Sequence, residues 1–406
     1  LKFKTLKGVK MKILVINSGS SSIKFKLYEE EKPVASGVIE KIGEHSSKIE
    51  LKDLLTNKIQ QRDEPVPNHQ AGINVISEFF QDSGILKDLE ELDGCGHRVV
   101  HGGKNLTKPC LIDTNVLKEI RRIGVIAPLH NPAHLVGIKA MISAAPEVPN
   151  VAVFDTAFHS TLPDYAYMYA LPYDFYEKEG IRRYGFHGTS HSYVSKKAAQ
   201  FLGIEYDEFN AISAHLGNGA SVCAIENGKS IDTSMGFTPL EGLMMGTRCG
   251  DIDAAIISHL ARISDYNTEE LDAIMNKRSG FLGICGFNDL RDVDAQIANG
   301  DDKARLALEM YVYRLAKYIG SYFSVMKRVD ALLFTAGVGE NSDTVRKLVC
   351  AKLEHLGFEV DDSLNNGLRG KLATISKDNS KIKILVVPTD EELEISRITE
   401  KIISQM

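Results

Sequence analysis

The apolar run that begins at Met11 reaches Asn17, breaks through Ser18, Gly19 and a run of serines, and resumes at Ile23. This predicts two strands, residues 12–17 and 23–28, joined by a small polar turn. A third strand is expected at 34–40. An amphipathic run over 69–80 predicts a helix. Val99 and Val100 end a short strand-like stretch that leads into the loop His101-Gly102-Gly103. Residues 113–123 carry a helical pattern, and "NVAVF" is a buried strand that stops at Asp155.

A second series follows. Residues 211–229 read as strand, glycine-rich turn and strand, with a further strand at 230–232. Helices are predicted over 251–262 and 302–327. "ALLFTAGVGEN" is a buried strand running into a glycine turn, 381–392 holds the last strand, and 391–405 is a terminal helix with Glu391, Glu392 and Glu394 in its first turn. Two hairpins, each followed by alternating helices and strands, point to an internally duplicated α/β fold. Two such hairpins can also arise independently. No Pro/Gly/Ser-rich linker separates the halves, so a boundary is a tight hinge placed just after Asp155.

At 406 residues the chain is long enough for two domains with real cores. A net charge of −6, with no long basic tract, argues against a nucleic-acid partner. The six cysteines are scattered without a CxxC, which fits a reducing compartment and argues against a disulfide framework or zinc ribbon. No stretch has the length of a membrane span or the pattern of a signal peptide. Residues 1–10, with four lysines before Met11, read as a disordered appendage.

Several buried strands run straight into glycine and a polar group: Asn17-Ser18-Gly19, Asp155-Thr156, His215 to Gly219, and Thr335 to Gly339. In open α/β sheets ligands bind at the carboxyl ends of strands, and turns with free N–H groups cradle phosphate. Any one such turn is ordinary turn geometry; several together indicate nucleotide or phosphate binding. Neither a P-loop nor a dinucleotide fingerprint is present, so hydroxyls, backbone N–H groups and arginines must do the holding. Arg98 and Arg248 each lie near glycine in apolar surroundings and need an anionic partner, which is either a structural carboxylate or a substrate. His187 and His191 share i,i+4 spacing, as do His130 and His134, but a zinc site lacks the glutamate its motif requires. His187 and His215, beside glycine turns, are placed to donate to a developing negative charge. Asp155, for which a strand end supplies no structural role, and Glu391, whose position helix capping alone explains, are the acids to hold magnesium.

The segments "VINSGSSSIKFKL", "HRVVHGG", "APLHNPAH", "VFDTAFH", "RRYGFHGTSH", "HLGNGAS", "DTSMGFTPLEGLMMGTRCGD" and "FTAGVGEN" together resemble the acetate kinase family of the actin-like ATPase superfamily, in order and over nearly the whole chain. The resemblance implies two duplicated ribonuclease-H-like domains around an interdomain cleft. One would comprise residues 11–155 with 390–406 and the other, for nucleotide binding and dimerisation, 156–389. It implies ATP + acetate ⇌ ADP + acetyl phosphate with Mg²⁺, by direct in-line transfer, in a cytoplasmic homodimer.

It also assigns roles. Arg98 and Arg248 would hold acetate and the transferring phosphoryl, His187 would stabilise the transition state, and Asp155 would orient acetate or the metal. Asn17 and Glu391 fall at metal positions, with Ser20, Ser22, Lys24 and His130 in support. Val100, Leu129, Phe186 and Pro239 match the methyl pocket. His215, Leu216, Gly217, Asn218 and Gly219, with Gly337, Val338, Gly339, Glu340 and Asn341, match the nucleotide loops. Here "TDEEL" stands where the family often has Asn before the glutamates, adding a negative charge beside a metal ligand. A propionate or butyrate kinase would share every phosphate-handling residue. An actin- or chaperone-like switch ATPase would share the fold but has no need of the paired arginines.

Overall fold

Strands β1 (Lys12–Ser18), β2 (Ser22–Glu29) and β3 (Lys32–Glu40) form an antiparallel meander in which Asn17 faces Lys24 across the first hairpin. The computed structural model describes residues 10–128 and 130–406, so residues 1–9 of the expected appendage and Leu129 lie outside the described residues. Next come β4 (Ser47–Asp53), β5 (Lys58–Glu64), β6 (Gly94–Val99), β7 (Cys110–Leu111) and β8 (Asn150–Phe154), giving a sheet in the order β5-β4-β3-β2-β1-β6-β8-β7. β6 and β8 run parallel to β1. One compact unit consists of the chain up to Ala157 together with Asp390–Met406; the other is Phe158–Thr389.

The second unit repeats the plan. β9 (Ala211–Leu216), β10 (Ala220–Glu226) and β11 (Lys229–Thr233) form a meander. Then β12 (Ala331–Thr335) and β14 (Lys383–Val386) add in parallel, with β13 (Ala373–Thr374) at the edge. The order is β11-β10-β9-β12-β14-β13. Hence β3-β2-β1-β6-β8 and β11-β10-β9-β12-β14 are the same five-stranded arrangement, and the duplication is in the topology. β8, β9 and β12 are buried at every position, as parallel strands covered on both faces must be.

The first sheet has helices on both faces. His69–Ser83 and Asn131–Ala144 place Ile73, Ile76, Phe79, Phe80 and Met141 against Leu14, Ile16, Phe25 and Leu27. The terminal helix Glu391–Ile403, capped by Asp390 accepting from the Leu393 N–H at 3.0 Å, packs Ile395 on Ile13, Val15 and Val153. This return of the chain brings Glu391 to the carboxyl ends of β6 and β8.

Some elements depart from the sequence reading. β4 and β5 form although β5, "KIQQRDE", is almost wholly exposed: it is held by pairing alone and blunts the sheet edge with charge. "HNPAH" enters a helix, because proline is tolerated in the first turn where its missing N–H has no intrahelical partner. The expected glycine turn after β12 is a helical turn, Ala336–Asn341, and the helix expected from 251 starts at Ala255.

Candidate active site

In the first unit Arg98 is the penultimate residue of β6 and Asp155 follows β8, on adjacent parallel strands. The Asp155 N–H donates to the Val99 carbonyl at 3.0 Å, so the strand pairing continues as far as the acid. The guanidinium makes a two-point contact with it, Nε to Oδ1 at 3.0 Å and Nη2 to Oδ2 at 2.7 Å. Asp155 thus has the structural role that its strand-end position did not disclose: it aims Arg98. Glu391 lies 3.8 Å from Arg98 Nε. Burial acts to lower the Arg98 pKa, but Asp155 and Glu391 more than reverse it, holding the guanidinium firmly charged. Burial, together with Asp155, Glu392 and Asp390, pushes Glu391 up to about 7 against the opposing pull of Arg98.

The hairpin turn after β1 closes through the Gly19 N–H donating to the Ser22 carbonyl at 2.8 Å. His69 Nε2 meets the Gly19 carbonyl at 2.8 Å, a brace that nothing in the sequence signalled. Asn17 and Ser22 are half-buried around this turn, while Ser20 and Lys24 are exposed. Val100 is buried just beyond β6. His130 precedes the helix Asn131–Ala144 at its N-terminus, and its carbonyl accepts from the His134 N–H at 3.1 Å.

In the second unit the turn between β9 and β10 carries Gly217, Asn218 and Gly219, with the Gly217 N–H donating to the Gly219 carbonyl at 3.0 Å. Arg248 belongs to a loop tied to that turn, since the Gly246 N–H donates to the Asn218 carbonyl at 3.0 Å. Any side chain at Gly246 would run into Asn218 Oδ1 and lie 2.9 Å from the Asn288 carbonyl, so the close approach requires glycine. A Cβ on Gly219 would sit 3.4 Å from Arg248 Nη1 and 3.7 Å from His187 Cε1; guanidinium and imidazole therefore flank one glycine.

Arg248 differs from Arg98 in its company. Its Nη1 donates to the Pro239 carbonyl at 3.0 Å and reaches Met245 Sδ at 3.5 Å. Burial alone acts on it, lowering its pKa, and among the described residues no carboxylate pairs with it. A half-buried cation without a counterion is a site for an anion.

His187 precedes the helix Gly188–Leu202 with φ 56°, a left-handed backbone uncommon outside glycine. Its ring stacks on His215, centroids 4.1 Å apart. Each ring is held at Nδ1 by a serine, His187 by Ser221 Oγ at 2.9 Å and His215 by Ser190 Oγ at 2.8 Å. Ser190 in turn meets Thr389 Oγ1 at 2.9 Å. His191 touches Ser221 and Ser213; its spacing from His187 reflects this shared serine. Among the described residues no group of three His, Cys, Asp or Glu is placed to hold a metal ion.

A cavity of about 710 Å³ brings Gly217 and Asn218 together with Gly337, Val338 and Asn341. That volume lies in the range of small-molecule pockets. Asn288, Asp289, Arg291, Asp294 and Arg369 also line it, and no motif singled them out, because they sit on helices and loops remote in sequence. Glu340 is turned to the backbone: its Oε1 accepts from the N–H of Ala336 in its own turn and from that of Thr389, at 2.9 and 3.1 Å. Behind the loop, buried Arg346 donates to the carbonyls of Gly339 and Leu368 at 3.0 and 2.9 Å, fastening it from below.

Residues 12–397 match the model of the acetokinase family. The chain belongs to the acetokinase family. It is 66% identical over 393 residues to an acetate kinase of Campylobacter lari, covering 97% of this chain and 99% of that protein. Among solved structures, a Porphyromonas gingivalis acetate kinase superposes with a TM-score of 0.92 at 44% identity, covering 97% of this chain and 99% of that one. A propionate kinase from Francisella tularensis superposes with a TM-score of 0.90 at 42% identity, covering 96% and 99%.

For an acetokinase the remaining positions fall as follows. Phe186 is fully buried in the second unit, its carbonyl meeting His159 Nε2 at 2.9 Å, and Pro239 is held through its carbonyl by Arg248. Magnesium bound along with substrate phosphates takes one or two protein oxygens. Asn17 and Glu391 carry oxygens that could serve as such donors, and Asp155, Glu392 and Asp390 place further negative charge near Glu391.

Proposed function

We propose that this acetokinase transfers the γ-phosphoryl group of ATP reversibly to acetate, giving acetyl phosphate and ADP. The single observation that carries the reading is Arg248: a half-buried guanidinium with no carboxylate partner among the described residues, beside the Asn218–Gly219 turn and His187. The paired Arg98 takes the acyl oxygens of acetate, which is already a nucleophile at neutral pH and needs no general base. Arg248 and His187 meet the equatorial oxygens of the phosphoryl group in flight, so catalysis is alignment and charge stabilisation. Asn17 and Glu391 would hold Mg²⁺, which when bound neutralises charge on the nucleotide phosphates. The 710 Å³ cavity takes the nucleoside, and the family resemblance makes Val100, Phe186 and Pro239 candidates for holding a small acyl group.

The free cysteines and the absence of any long apolar helix among the described residues support a cytoplasmic setting. Leu306, Met310 and Tyr313 are exposed on one face of the helix Asp302–Val325, and this stripe supports a homodimer formed through the second unit.

The test is ADP release from ATP with magnesium, comparing acetate, propionate, butyrate and no acid, with hydroxylamine to trap acyl phosphate. Acetate-dependent release with matching hydroxamate is the expected result. Preference for propionate would reassign the substrate, since one methylene in an apolar pocket is worth only about 1–3 kcal/mol. Hydrolysis indifferent to the acid would overturn the reading.

A further inference from the structure

Behind the stacked histidines runs a chain of four hydrogen-bonding groups. Ser213 Oγ meets His191 Nδ1 at 3.0 Å, His191 Nε2 meets Ser221 Oγ at 2.8 Å, and Ser221 Oγ meets His187 Nδ1 at 2.9 Å. Ser213 lies on β9 and Ser221 on β10, while His191 and His187 come from the first turn of the facing helix and its cap. The chain is therefore anchored on three elements.

A serine hydroxyl has one proton, so Ser221 donates to one of its two histidines and accepts from the other. His191 is wholly buried, and burial lowers its pKa well below the ordinary value, so it carries a single ring proton. Two arrangements fit these contacts, and only the first gives every proton an acceptor: in the second, buried Ser213 accepts from His191 and its own hydroxyl proton has no acceptor among the described residues. In one, His191 Nε2–H donates to Ser221, Ser221 donates to His187 Nδ1, and the His187 proton sits on Nε2. In the other every donor and acceptor is exchanged, and His187 presents a bare lone pair at Nε2. An anionic phosphoryl oxygen at Nε2 is stabilised by the first and repelled by the second.

We propose that Ser221 is a positioning residue which, backed by His191 and Ser213, keeps the His187 proton on Nε2 and so presents an N–H to the transferring phosphoryl group. The inference rests on the proposed role of His187 in phosphoryl transfer. Which imidazole nitrogen bears the proton is set by the bond that the other makes, and here the other bond ends on a buried, neutral relay.

The experiment is ¹⁵N NMR of imidazole-labelled protein saturated with magnesium and a non-hydrolysable ATP analogue, together with steady-state kinetics. The intact protein is expected to show His187 protonated at Nε2 and bare at Nδ1. Ser221→Ala should shift that proton toward Nδ1 and lower kcat about 10- to 100-fold, with KM for ATP and for acetate within about twofold. Ser221→Thr, which keeps the hydroxyl, should restore both. An Nδ1-protonated His187 in the intact protein would overturn the proposal. So would a Ser221→Ala variant with unchanged tautomer and kcat, or a loss that Ser221→Thr does not repair. His187→Ala with undiminished kcat would defeat the underlying role instead, whatever the tautomer.

Discussion

Two arginines with similar sequence surroundings take opposite parts once folded. Arg98 is claimed by Asp155 in a two-point ion pair, whereas Arg248 has carbonyl and thioether contacts and, among the described residues, no carboxylate. Both were legible as arginines in need of an anion; which had its partner in the protein was not, because Asp155 lies 57 residues from Arg98 and meets it only through strand pairing. Arg248→Ala is expected to reduce kcat/KM for acetyl phosphate formation by on the order of 10²–10³, the cost of removing a donor to a developing charge. Arg248→Lys should recover little of it, since an ammonium cannot reproduce the planar two-point grip. Asp155→Asn removes the aim of Arg98 rather than its charge. The expected outcome is a raised KM for acetate with the ATP KM little changed, read from initial rates.

At the scale of elements, the hairpins and parallel strands were visible because their apolar runs are long and their turns small and polar. What the runs did not disclose is how loops are pressed together. Gly246 sits against Asn218 so closely that no side chain fits, and that contact joins the Arg248 loop to the turn lining the cavity. Gly246→Ala should force Asn218 aside and weaken nucleotide binding several-fold by calorimetry, with a stability loss of about 1–3 kcal/mol from overpacking. Retained affinity with an unshifted melt would show that the loop has slack. The left-handed backbone of His187 is likewise an element-scale feature: it lies just before the helix Gly188–Leu202, with its ring stacked on His215.

For the molecule as a whole, buried histidines pull stability down in acid, while Glu391, raised to about 7, partly offsets them by taking up its proton in the folded state between pH 7 and 4.5. Burial lowers His97 to about 4 against the opposing hydrogen bond it donates to Asn150 Oδ1, and burial with nearby Arg98 lowers His134 to about 3. Unfolded, each accepts a proton below about 6.5. Between that value and the native ones the unfolded chain binds more protons, so their share of the stability is whole above about pH 6.5. It is lost as pH falls toward 4, each histidine contributing up to about 1.4 kcal/mol per pH unit. Urea unfolding from pH 8 to 5 should trace this decline, and His97→Gln should flatten it; a level profile would contradict the assignment. The apolar stripe on the long helix makes a separate prediction. Tyr313→Glu with Leu306→Glu should halve the sedimenting mass without disturbing the far-UV spectrum.

The sequence by itself determined the strand–turn–strand units, the buried parallel strands, the arginines and glycine turns, and, through its long ordered motifs, the family. All of these are local, because alternation and turn chemistry act over a few residues. Only the tertiary structure decided that Asp155 serves Arg98, that Glu340 faces backbone N–H groups, and that His187 and His191 share Ser221. It also decided that one cavity collects residues from Gly217 to Arg369. Those outcomes depend on strand order and loop packing, which bring together groups whose separation along the chain carries no signal of their contact.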